Sequence, residues 1–244
     1  MDFKKPLYQD YFNTQASRVD RHEIKDKVTW NQLIYKKEVL PLLPLDKNSK
    51  ILDVGCGYGS LLVLLKRLGY KNVHGIDISH DQLQIAKSLE LENTECANAI
   101  DFLRDKKEAF DVIVGIDIIE HFSKAELMEF LNLVSQALKE NGLAVFRTPN
   151  GDAPFGSTYY LGDFTHELVL NAFSAEQIML ASGFKDVLVA NSFIKAPGIV
   201  KNAIRSIIWF FIALFSKIVL FASGKSIRHT LLTPNLIIKA RKSQ

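Results

Sequence analysis

Between Lys50 and Ala190, short β-branched and aliphatic runs alternate with longer stretches whose apolar residues recur at three- and four-residue spacing. The runs predict strands from Ile51, over Val73 to Asp77, Thr94 to Ala97, Phe110 to Ile116, Leu143 to Thr148 and Asp186 to Ala190. The periodic stretches predict helices from Leu61 to Leu68, Ser79 to about Leu89, Ser123 to Lys139, and Ser174 to a stop at Gly183. The pairs Ser79/Gln82, Ser123/Glu126 and Ser174/Gln177 fit the capping box that opens a helix. Such a succession implies a parallel sheet covered on both faces, with ligand at the carboxyl ends of its strands. Ahead of it, residues 1–48 read as a cap. Tyr8, Tyr11 and Phe12 lie in a polar approach, and a helix from about Asp20 runs to Leu40, where Pro41 and Pro44 stop it. A core over 49–195 follows, then an insertion over 196–233 and a last strand within 234–244, Asn235 to Arg241.

The insertion changes the picture. Ile207 to Phe215 is unbroken apolar sequence, and Ser216-Lys217 separates it from Ile218 to Ala222. A membrane span needs about 20 apolar residues, so this run is borderline, with Lys217 as an interruption. Strands on either side of it belong to one sheet, so the segment must leave and return on the same face. The expectation is peripheral contact with a membrane through residues 203–222, beside the ligand edge; an oligomer interface or a helical hairpin packed on the domain are the alternatives. Charge points the same way. After Asp186 there is no acidic residue and nine basic ones, leaving 21 basic against 27 acidic residues in the rest of the chain. A basic tail fits an anionic surface. Its interleaving with long aliphatic runs excludes a polar nucleic-acid face, and no nucleic acid is expected. With 48% hydrophobic and 23% charged residues the chain can bury a core. Only two cysteines, Cys56 and Cys96, are present, too few for a disulfide framework. The first residues lack the apolar core of a signal peptide, so the body is expected in the cytoplasm, on the inner face of the cell membrane.

Candidate chemistry begins at Gly55, Gly57 and Gly59, which join the first strand to the first core helix. Glycine allows positive φ and close approach of a ligand to the backbone. The dinucleotide fingerprint would have its third glycine where Ser60 stands. Asp77, about 20 residues on and at the end of the second strand, is placed to accept hydrogen bonds from ribose hydroxyls. Loop and carboxylate together specify a nucleoside.

The stretch Asp53-Val-Gly-Cys-Gly-Tyr-Gly resembles motif I of the class I S-adenosylmethionine (SAM) dependent methyltransferases. His74-Gly-Ile-Asp77-Ile-Ser is similar to their acidic motif, and Phe110 through Asp117-Ile118-Ile119-Glu120-His121-Phe122 is similar to their fourth strand and its following loop. The resemblance implies a Rossmann-like α/β fold: a seven-stranded, mostly parallel sheet with an antiparallel last strand and helices on both faces, here with a hydrophobic helical insertion before the last strand. It implies SAM as cofactor, held by Asp53 at the methionine end, the loop residues Gly55, Cys56, Gly57 and Gly59, Asp77 and Ile78 at the ribose, Asn98 and Ala99 at the adenine, and Ile116 and Asp117. Asn98 departs from the commoner acid, and a plain turn residue is its other reading. The N-terminal segment is expected to close over the cofactor.

Two histidines are candidate bases. His121 follows the fourth strand, where its other reading is a hydrogen-bonded residue shaping the loop. His166, in Asp163-Phe164-Thr165-His166-Glu167 on a long loop with Tyr159 and Tyr160, is favoured as acceptor base or orienter. A metal set of Asp152, Asp163, His166 and Glu167 lacks any ligand spacing, so no metal is expected. Thr148-Pro149-Asn150 and the loop after it resemble methyltransferases of bacterial cell-surface polysaccharide assembly, which implies O-methylation of a sugar hydroxyl on a lipid-linked saccharide; a quinone or other isoprenoid or small-molecule acceptor is the rival. A nicotinamide oxidoreductase would use the same sheet but wants the missing glycine, and a non-catalytic membrane adaptor would not need intact Asp53 and Asp77.

Overall fold

In the computed structural model, which describes residues 4–9, 11, 15, 24–193, 198–224, 227 and 230–243, the alternating blocks build one seven-stranded sheet. In chain order the elements are α1 (Lys4–Gln9), α2 (Ile24–Glu38), β1 (Lys50–Val54), α3 (Ser60–Arg67), β2 (Asn72–Asp77), α4 (His80–Ser88), β3 (Thr94–Cys96) and α5 (Ala99–Leu103). There follow β4 (Phe110–Ile116), α6 (Lys124–Ala137), β5 (Leu138–Pro149), α7 (Ser157–Tyr160), α8 (Ala172–Ala181), β6 (Phe184–Ser192), α9 (Ile199–Ala222) and β7 (Asn235–Lys242). The order across the sheet is β3-β2-β1-β4-β5-β7-β6. Neighbours from β3 to β5 are parallel, and β7 alone runs antiparallel, between β5 and β6.

The central strands are covered on both faces, which is why β1 and β4 read as continuous apolar runs. Val54, Ile113 and Phe146 pack with Phe130, Leu131 and Val134 of α6 on one side; Ile51, Val112, Val114 and Val145 pack with Leu61, Leu65 and Val39 on the other. The β1–α3 and β2–α4 turns therefore meet at one edge of the sheet.

Several element ends differ from expectation. Ser123 and Glu126 form their capping box on α6. At α4, Ser79 occupies the cap position but its hydroxyl turns to Asp81, and no box forms with Gln82. Helix α8 opens a few residues early: Asn171 is the cap, boxed with Ser174, because the Asn side chain reaches the Ser174 N–H at 3.0 Å. Helix α2 ends at Glu38 rather than Leu40, since Pro41 starts a separate tight turn, Leu40–Leu42; its expected start at Asp20, like Phe12, lies outside the described residues, as does the 195/196 boundary. The insertion holds one continuous 24-residue helix, α9, which passes through Ser216-Lys217 without a break. No α9 residue is buried, so it is not a hairpin packed on the domain.

Candidate functional site

Gly55, Gly57 and Gly59 carry φ of 70°, 55° and 80°, the left-handed values that only glycine takes without strain. The turn is tied to β2. Gly55 and Cys56 N–H groups donate to the Ile76 carbonyl at 2.8 and 3.0 Å. Gly57 N–H donates to Asp77 Oδ2 at 2.7 Å and Ser79 N–H to Asp77 Oδ1 at 2.8 Å. Asp77 is thus oriented by backbone donors at the lip of a cavity of 850 Å³, a size that takes a nucleoside-bearing small molecule. Burial raises the Asp77 carboxyl to about 6 even against those donors.

Most of the expected cofactor residues converge on this cavity: Gly55, Cys56, Gly57, Asp77, Ile78, Asn98, Ala99, Ile116 and Asp117 all line it, and so does His121. Asp53, Gly59 and His166 do not. Asp53 lies beneath the floor, 3% exposed, where burial and the nearby Asp77 charge raise it to about 8. Gly59 caps α3, its Cβ position 2.2 Å from Leu91 Cδ1. Asn98 lines the cavity and also caps α5, its Oδ1 accepting from Ile100 N–H at 2.9 Å, so the turn reading holds for the side-chain oxygen. Asp117, at φ 52°, pairs with buried Arg147, which also donates to Ser192 Oγ at 3.2 Å.

The residues present fit a nucleoside ligand. Ser60 Oγ, in the cavity wall, is buried without a hydrogen-bond partner among the described residues. A side chain at Gly57 would come 2.8 Å from Gln82 Oε1, closing the floor. The Asp77 carboxylate and the Cβ-free Gly55 and Gly57 of the turn put an acceptor and bare backbone on the cavity wall.

The opposite wall is made by the cap and the long loop. Lys4 Nζ donates to the His121 carbonyl at 2.6 Å and pairs with Glu167 at 2.5 Å; Tyr11 donates to Asp163 Oδ2 at 2.5 Å. Tyr8 and Tyr11 line the cavity. Thr165 Oγ1 lies 2.6 Å from Asp163 Oδ1 and 2.9 Å from His121 Nδ1. The carboxylate takes the single hydroxyl proton, so His121 Nδ1 must donate to Thr165, and Nε2 is left as the ring's acceptor. Desolvation, then neighbouring His166, lowers His121 to about 4, which keeps it neutral. Against its own desolvation, bonds from Thr165 and Tyr11 hold Asp163 below the usual carboxylate range.

His166 sits behind His121, the ring centroids 4.7 Å apart. Its Nδ1 is 2.9 Å from the Tyr160 carbonyl, which only accepts, so Nδ1 carries the proton and Nε2 is bare. Nε2 faces Glu120 Oε1 at 4.0 Å, and Oε1 has no hydrogen-bond partner among the described residues while Oε2 accepts from Thr148 at 3.1 Å. Desolvation, then Asp117, drives Glu120 well above the ordinary carboxyl range. Glu120, His121 and His166 offer ligand atoms within 4.8 Å of one another, a set that could hold a metal ion. It differs from the Asp152, Asp163, His166 and Glu167 set weighed in the sequence. The long loop thus orients the His121 imidazole through Thr165.

Sequence reasoning missed Lys4, Ser60, Gln82 and Thr165. Ser60 was visible as the residue in the third-glycine place; nothing local marks Lys4 or Thr165, whose partners lie at |i−j| of 117 and 44.

The sequence pattern of the methyltransferase domain matches residues 28–189. A ubiquinone biosynthesis O-methyltransferase of Bartonella tribocorum is 32% identical over 151 residues, 57% of this chain and 57% of its own length. The chain thus matches just over half the length of that curated relative. A SAM dependent methyltransferase from Archaeoglobus fulgidus superposes with a TM-score of 0.61 at 21% identity, covering 99% of this chain and 100% of that one. A Haemonchus contortus phosphoethanolamine N-methyltransferase bound to S-adenosylhomocysteine superposes at 0.63 with 15% identity, covering 97% and 60%. These likenesses carry the fold, with its antiparallel strand, as expected.

Proposed function

We propose, since this chain belongs to the methyltransferase-domain family, that it is a SAM-dependent O-methyltransferase acting on a small hydroxylated acceptor of the quinone or isoprenoid-phenol class. The saccharide acceptor expected from the loop after β5 gains no support from the matched relatives, which are named for ubiquinone biosynthesis. The observation that carries the proposal is that His121, its Nδ1 committed to Thr165 and its Nε2 left as acceptor, stands in the wall of the cavity whose other end is the Gly57–Asp77 pair.

When bound, SAM supplies an electrophilic methyl group on a sulfonium sulfur. Asp77 would hold the ribose hydroxyls, the Gly55–Gly57 backbone would underlie the nucleoside, and Asn98 and Ala99 would flank the base. Asp53, beneath the floor and outside the cavity lining, would support the turn rather than touch the cofactor. Tyr8 and Tyr11 cover the acceptor end and exclude water, and the apolar rings suit a phenol better than a polyhydroxylated sugar. The acceptor hydroxyl proton passes to His121 Nε2, while Thr165 and Asp163 hold the imidazole in the tautomer that can take it.

The test is transfer of labelled methyl from SAM to a polyisoprenoid catechol and to a polyisoprenyl-linked sugar. Wild type is expected to label the catechol alone. His121→Ala should lower turnover by about 10²- to 10⁴-fold with SAM affinity by calorimetry unchanged. Labelling of the sugar alone overturns the acceptor class, and full turnover by His121→Ala overturns the assignment of the base.

A further inference from the structure

Helix α9 inverts the pattern of a soluble helix. Its partly covered positions are Asn202, Arg205, Trp209, Ile212, Ala213, Ser216 and Leu220, on one face that mixes polar and apolar residues. That face leans on the body: the Trp209 ring is 5.4 Å from that of Phe193, and Arg205 lies 5.2 Å over the same ring. The outward side chains are large and apolar, with Phe210 63%, Phe211 62%, Phe215 67% and Phe221 73% exposed. A surface helix of a soluble protein does the opposite. Ile204, Phe211 and Ile218 fall on one stripe and Phe210, Leu214 and Phe221 on another, so the apolar surface is wider than the single seam that a paired helix covers.

Length and connection restrict what can cover it. The 24 residues of α9 extend about 36 Å, and the helix is long and apolar enough to cross a bilayer. Yet Ser192 and Asn235 are paired across β6 and β7, so the chain leaves and re-enters the sheet at one point. A crossing would force residues 223–234 back through hydrocarbon as extended chain with unpaired backbone groups, which lipid does not tolerate. Charge completes the restriction. Lys201 and Lys217 are exposed, and no acidic residue follows Asp186, so the whole segment is complementary to anionic headgroups.

We propose that α9 is a membrane-docking helix that lies in the interface of an anionic bilayer with its phenylalanines in the acyl boundary. It departs from the carboxyl end of β6, the edge of the sheet on which the cavity opens, so docking brings the cavity to the lipid surface. This surface stands whichever acceptor is methylated.

The full chain is tested by flotation with vesicles of phosphatidylcholine and with vesicles of equal parts phosphatidylcholine and phosphatidylglycerol. Wild type is expected to float with the anionic vesicles and to be released by salt. Lys201→Gln/Lys217→Gln should weaken that partition by about thirtyfold, and Phe211→Glu/Phe215→Glu should abolish it, both with unchanged melting temperature and SAM affinity. Wild type remaining in the unbound fraction overturns the proposal, as does equal partition of the Phe variant. A dimer by light scattering that the Phe variant splits into monomers, with no flotation, assigns the face to a second copy instead.

Discussion

Asp53 and Asp77 stand within one buried edge of the sheet with different amounts of help. Asp77 accepts two backbone N–H groups and rises only to about 6, while Asp53, held by burial and the Asp77 charge alone, rises to about 8. The native state keeps a proton on Asp53 between the ordinary carboxylate range and about 8, whereas the unfolded chain has released it. Stability of the ligand-free protein is therefore expected to fall as pH rises through that window. Thermal unfolding across it should show the decline, and Asp53→Asn should flatten it and raise the melting temperature near its upper end; an unaltered profile removes Asp53 as the cause. Glu120 is a further buried acid. Its raised pKa keeps it protonated, with Oε1 4.0 Å from the bare Nε2 of His166. Glu120→Gln is expected to retain the fold within about 1 kcal/mol and to retain turnover, while Glu120→Ala, which strands the Thr148 hydroxyl, costs about 2–3 kcal/mol. If Glu120→Gln is inactive and the wild type is inhibited by a chelator, the three-residue cluster holds a cation rather than a proton.

At the level of elements, the β1–α3 turn and the α3 end use glycine for two reasons. Gly69 terminates α3 at φ 85° with open space where a side chain would go, and Gly59 starts it at φ 80° against Leu91. Gly69→Ala is expected to cost about 1–2 kcal/mol, the strain of left-handed backbone alone; Gly59→Ala should cost more, because Leu91 must also move, and should weaken SAM binding through the adjoining loop. Urea unfolding and calorimetry on the two variants separate the terms. Equal costs would show that Leu91 yields freely. The capping signals were legible only where one partner was decisive. Ser123 and Glu126 had no nearer competitor, whereas Ser79 found Asp81 and Ser174 was claimed by Asn171. Such choices turn on local side-chain reach, which residue spacing alone does not resolve.

For the whole molecule, the last strand is the middle of the sheet's second half. β7 pairs with β5 on one side and β6 on the other, with Leu236, Ile238 and Ala240 fully buried. The loop before it is anchored by Asn150 Nδ2, which donates to the Leu231 and Thr233 carbonyls at 2.8 Å. A chain ending at Thr233 is expected to lose cooperative unfolding and near-ultraviolet circular dichroism, since β5 would become an open edge and β6 would have no partner; a native spectrum from that truncation would contradict the account.

The strand–helix alternation, the glycine turn, the Asp77 carboxylate at the next strand's end and the apolar insertion were set by sequence alone. Each depends on hydrophobic period, on φ restrictions or on spacing within one βαβ unit, all properties of adjacent residues. Which histidine faces the cavity, which tautomer it holds, and that Lys4 and Tyr11 close over it were decided only by folding. Those contacts join residues 117 and 152 positions apart, and an imidazole's free nitrogen is determined by what the other one touches. Burial did the rest: it separated Asp53 from Asp77 and turned the phenylalanines of α9 outward, outcomes that depend on which surfaces the sheet had already covered.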